Sequence, residues 1–78
     1  MKEKHAKQYK EIGLKVAYYR KLAGLSQLQL AEMVDISRTH LSNIEAPNVQ
    51  TSISLELLFN ISDVFDIEVK DFFEFHHK

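Results

Sequence analysis

Between Ser37 and Asn43 the chain reads Ser-Arg-Thr-His-Leu-Ser-Asn, six polar side chains around the single apolar Leu41. The guanidinium fork of Arg38 can pair with two acceptors on one planar edge, as guanine O6 and N7 offer, and the carboxamide of Asn43 suits adenine in the same way. Five residues separate Arg38 from Asn43, about a turn and a half of helix. Thr39 and Ser37 are short enough to touch a thymine methyl or a phosphate oxygen. Plain solvent exposure is the alternative for Arg38 and Asn43, and a helix N-cap is the stronger reading for Ser37. None of this is reaction chemistry. His40 has Asn43 and Ile44, neither a metal ligand here, at the two helical positions where a second ligand would stand. His5 and the pair His76-His77 read as polar tails. The chain has no cysteine, hence no disulfide, thiolate site or thiol nucleophile. Serine, histidine and acid are present, but nothing arranges them as nucleophile, base and orienter. No enzymatic activity, metal or cofactor is expected.

These residues need an element to carry them. In Gln27–Ala46, Leu30, Ala31 and Val34 fall on one side of a first short helix, and Leu41 and Ile44 on one side of a second. Asp35-Ile36-Ser37 between them is long enough only for a sharp turn. The small Ala31 permits the close crossing of a helix pair at roughly 90–120°. This is a helix-turn-helix, a unit known for laying its second helix in the major groove of DNA. Upstream, a helix over Tyr9–Ala23 is expected, with Ile12, Val16, Tyr19 and Leu22 on its apolar face. Gly24 suits the left-handed residue that ends it, Leu25 folds back, and Ser26 caps the next helix. Downstream, Ala46–Ile53 is a loop. Ser54 caps a largely apolar, central helix over Leu55–Phe65, and a short fifth helix spans Val69–Phe75. The class is all-α, organised as a basic N-terminal arm over residues 1–8 and one domain over 9–78.

At 78 residues, 45% apolar and 27% charged, the composition is that of one globular domain. The net charge of −1 hides an asymmetry. Residues 1–40 hold eight cations and four carboxylates (+4), and residues 41–78 hold two and seven (−5). Such polarity hints at nucleic-acid contact through one end. The apolar runs are far too short to span a bilayer and no export signal leads the chain, so no membrane association and a cytoplasmic location are expected.

Ile12-Gly13, Arg20-Lys21, Gly24-Leu25-Ser26-Gln27, Leu30-Ala31, Ile36-Ser37-Arg38, Leu41-Ser42 and Ile44-Glu45 form a specific combination. With Ser54-Leu-Glu-Leu-Leu58 and Val64-Phe65-Asp66-Ile67, they make the chain from Ile12 to Phe73 resemble the lambda-repressor/Cro-like helix-turn-helix family, of xenobiotic-response-element type. The resemblance implies a compact five-helix domain that binds DNA sequence-specifically, usually as a dimer. By position it implies base contacts from Ser37, Arg38, Thr39 and Asn43, with Ser42 beside them. It implies phosphate contacts from Gln27 and Gln50. It further implies an ion pair between Arg20 and Glu45, although Arg20 could also grip phosphate. Two positions depart from the pattern. Asp35 stands at a corner where glycine is usual, a place that aspartate tolerates. The loop at 46–50 lacks the usual basic residues, which weakens the expected phosphate grip.

Phe72, Phe73 and Phe75 cannot all point inward on one short helix, so at least one is exposed. Terminal fraying is one outcome. The other is a two-fold homodimer through these rings, which sets two recognition helices about 34 Å apart on a palindromic operator. A transcriptional regulator of bacterial or phage type, a repressor or autoregulator, is the expected function. The rival is an antitoxin or regulatory subunit that acts chiefly on a protein partner.

Overall fold

Three corners of the chain are built from one triplet, a left-handed residue followed by a branched apolar one and then the residue that starts the next element. Gly24 (φ 76°), Asp35 (φ 62°) and Asp66 (φ 56°) supply the left-handed position. Behind each, the apolar residue returns its N–H to a carbonyl five residues back: Leu25 to Arg20 at 3.1 Å, Ile36 to Ala31 at 3.0 Å and Ile67 to Ser62 at 3.1 Å. This closure satisfies carbonyls that a helix end leaves bare. The third residue then begins the next element. Ser26 Oγ accepts from the Gln29 N–H and Ser37 Oγ from the His40 N–H, while the Glu68 N–H donates to Asp71 Oδ2.

The computed structural model describes residues 3–49 and 51–74. A 3-10 turn over Glu3–His5 leads into α1 (Ala6–Leu22), α2 (Gln27–Met33), α3 (Arg38–Glu45) and α4 (Leu55–Phe65), and a second 3-10 turn covers Val69–Phe73. The described residues contain no strand. Ser54 Oγ caps α4 by accepting from the Leu57 N–H at 3.0 Å.

The core takes Ile12 and Val16 from α1, Leu30, Ala31 and Val34 from the first half of the motif, and Leu41 and Ile44 from α3. Leu57, Leu58 and Ile61 of α4 and Phe72 complete it. Tyr19 stands edge-on to Phe72, with ring centres 5.8 Å apart, and tilts over Phe65 at 6.1 Å. Partial burial, then the nearby Asp71 carboxylate, raises its phenol above the ordinary value.

Several expectations are corrected. Helix α1 begins at Ala6, so residues 6–8 of the expected arm are helical. His5, Gln8 and Tyr9 line an open apolar cleft with Ile53, Leu55, Leu58 and Phe73. Leu22 is 70% exposed because it lies off the α1 core face, about 60° round from Tyr19 at 100° per residue. Helix α4 is central on one side only, since Leu55 and Phe59 face out. The expected fifth helix is a tighter 3-10 turn ending at Phe73. Phe72, expected at a dimer interface, is fully buried inside its own chain, whereas Phe73 is half-exposed. Phe75 and Gln50 lie outside the described residues.

Candidate nucleic-acid interface

Helix α3 has eight residues and two unlike sides. Leu41, Ile44 and Glu45 are buried, while Arg38, Thr39, His40 and Asn43 are exposed and Ser42 is half-buried. A repeat of 3.6 residues per turn forces this division, since 41, 44 and 45 share one stripe and 39 and 43 lie opposite. Side chains of Arg38, Thr39 and Asn43 enter no hydrogen bond or ion pair among the described residues. Ser37 Oγ is occupied as the cap of α3, at 2.9 Å from the His40 nitrogen.

The inner side is anchored by charge as well as packing. Arg20 Nε donates to Glu45 Oε2 at 2.8 Å and Arg20 Nη2 to Glu45 Oε1 at 3.0 Å. Both residues are only 8% exposed. Arg20 Nη1 also donates to the Leu25 carbonyl at 2.8 Å, so one guanidinium ties α1 both to its own corner and to the end of α3. Gln27 Nε2 donates to the same Glu45 Oε1 at 3.0 Å. Sequence reasoning missed this link between the first residue of α2 and the last of α3. Its partners lie 18 residues apart, and no local pattern announces them. The amide has two N–H donors, so the bond to Glu45 fixes the side chain while leaving one donor uncommitted.

Gly13 sets how closely α1 and α3 approach. A Cβ built there would collide with the Ile44 carbonyl oxygen and stand 3.1 Å from the carbonyl carbon. This was also missed, because a close backbone approach shows only when both helices are in place. Among the described residues, no group of three or more His, Cys, Asp or Glu side chains could hold a metal. No helix there is long and apolar enough to cross a membrane.

Comparisons with known proteins agree with this geometry. Residues 16–72 match the family described as Helix-turn-helix. The HTH-type transcriptional regulator SinR of Bacillus subtilis is 36% identical over 67 residues, 86% of this chain and 60% of that protein. SinR of Bacillus licheniformis is 40% identical over 58 residues, 74% of this chain and 51% of its own length. The chain thus spans little more than half of these relatives. A crystal structure of SinR in complex with DNA superposes with a TM-score of 0.73 at 36% identity, covering 81% of this chain and 98% of that one. The restriction-modification controller protein C.AhdI from Aeromonas hydrophila gives a TM-score of 0.74 at 25% identity, over 82% and 94% of the two chains. By its residues, its corners and these matches, the chain belongs to the helix-turn-helix family, of the lambda-repressor/Cro-like type.

Proposed function

We propose that this chain is a sequence-specific DNA-binding module of a transcriptional regulator, with α3 seated in the major groove. One observation carries the reading: the outer side of α3 offers Arg38, Thr39 and Asn43 without partners among the described residues, while its inner side is locked to α1 and α2. A rigid rod with uncommitted planar donors is what base-edge recognition requires. Arg38 and Asn43 read bases, with Thr39, Ser42 and Ser37 beside them. Gln27, held by Glu45, directs its remaining amide donor to a phosphate, and Gln50 adds a second phosphate contact. The module acts in the cytoplasm as a repressor or autoregulator, without catalysis or cofactor. Two copies pair through the exposed Phe73 and set their recognition helices about 34 Å apart on a palindromic site. SinR has been solved both with DNA and as a SinR/SinI protein complex.

The test is selection of bound duplexes from a random pool, followed by titration of the selected site. Arg38→Ala should weaken binding by about 1–3 kcal/mol and relax the sequence at one position of each half-site. With few cations on this face, the salt slope should correspond to only a few released counterions per copy. Recovery of no consensus sequence, or unchanged affinity and specificity in Arg38→Ala/Asn43→Ala, would overturn the assignment and favour a protein-interaction module.

A further inference from the structure

The outer side of α1 carries three large apolar side chains that nothing among the described residues covers. Leu14, Tyr18 and Leu22 are 46, 59 and 70% exposed. With Lys10 they recur every fourth residue and so form one continuous ridge along the helix. This ridge lies away from Ile12, Val16 and Arg20, which enter the core. Lys7 and Lys21 stand seven residues either side of Leu14, about two turns away on the same side. Helix α1 holds four lysines against the single carboxylate Glu11, and its one arginine is neutralised by Glu45. The ridge is therefore apolar along its crest and cationic at its flanks.

A surface of the opposite kind lies elsewhere on the same chain. Neither α2 nor α4 contains a lysine or arginine. Met33, Val34 and Asp35 line an open cleft of about 450 Å³ together with Asn60, Asp63 and Val64. Met33 is 57% exposed at its edge. Glu32, Asp35 and Asp63 are all exposed and make this region anionic.

We propose that the α1 ridge of one copy docks into the α2–α4 cleft of a second copy. Ridge against ridge would oppose lysines, and cleft against cleft would oppose carboxylates. Only ridge against cleft joins opposite signs while covering exposed apolar surface on both sides. The contact is head-to-tail, so each copy keeps a ridge or cleft free for the next, and the assembly can extend. It uses neither Phe73 nor the outer side of α3, and so does not depend on the DNA-binding reading. On DNA it would couple the occupancy of neighbouring sites.

Sedimentation without DNA tests this in a Phe73→Ser background, which removes pairing at the other end. The parent should self-associate in dilute buffer and dissociate at about 1 M salt, where the screening length falls to about 3 Å. Lys10→Glu/Lys21→Glu should weaken association at least tenfold, and so should Glu32→Lys/Asp63→Lys. Mixing the two variants should restore it, because each exchanged surface then meets its opposite. A parent that stays monomeric, variants that associate like the parent, or a mixture that recovers nothing would each overturn the proposal. All three outcomes leave duplex selection, and hence the DNA-binding reading, untouched.

Discussion

On its inner side α3 presents Leu41, Ile44 and Glu45, all buried, whereas its outer side presents Arg38, Thr39, His40 and Asn43, all exposed. The inner residues are saturated with partners. Leu41 and Ile44 sit in the core, and the Glu45 carboxylate accepts from Arg20 and Gln27. The outer residues have polar groups to spare. Stability and recognition are thus separated, for Thr39 and Asn43 by about half a helical turn and for Arg38 by its place at the start of α3, and substitutions on the two sides should behave as different classes. Inner ones should unfold the domain. Outer ones should leave it folded and change only what it binds.

Gly13 should give the largest effect. Gly13→Ala places a methyl group against the Ile44 carbonyl, and only backbone movement of α1 or α3 can relieve the collision. A loss above about 4 kcal/mol is expected, a size reached when close packing is severely disrupted. Domains of this length are stable by only about 4–12 kcal/mol, so urea denaturation should find the variant largely unfolded or close to it. A loss below about 1 kcal/mol would show that the crossing is looser than described.

Glu45→Ala comes next. It leaves the Arg20 guanidinium buried without its counter-charge and removes the acceptor of Gln27, at an expected cost of about 3–5 kcal/mol. Replacing both partners, as in Arg20→Met/Glu45→Leu, should cost less than the single change, because no uncompensated charge remains. Denaturation of the two variants checks this. Equal losses would mean that the pair contributes through packing alone.

These two positions also mark the limits of sequence reading. Ser26, Ser37 and Ser54 were legible as caps and Gly24 as a left-handed residue, since each signal lies within four residues of its effect. The span Leu55–Phe65 was legible for the same reason. The left-handed turn at Asp66 was not legible, because aspartate adopts that geometry without a compositional mark. The collision at Gly13, the bond from Gln27 to Glu45 and the burial of Phe72 depend on residues 18 or more positions away. Three neighbouring phenylalanines announce that one ring must be exposed. Only tertiary packing, with Tyr19 edge-on to Phe72 and the core around it, decides that Phe72 goes in and Phe73 stays out.

The smallest effect belongs to Ser37, which stands on the seam between the two sides. Its hydroxyl caps α3 through the His40 N–H, yet it sits at the start of the exposed rod. Ser37→Ala should cost about 1 kcal/mol of stability, the usual value of a lost cap. Ser37→Asp separates the two roles, because aspartate caps as well as serine and also favours the positive end of the helix dipole. Its stability should match or exceed that of the parent. On DNA the added carboxylate would face phosphates, so affinity for the selected site should fall even though the fold is intact. Thermal denaturation and duplex titration of the same preparation read both quantities. If Ser37→Asp bound as tightly as the parent, the start of α3 would lie away from the duplex. The contact surface would then have to be sought nearer Asn43.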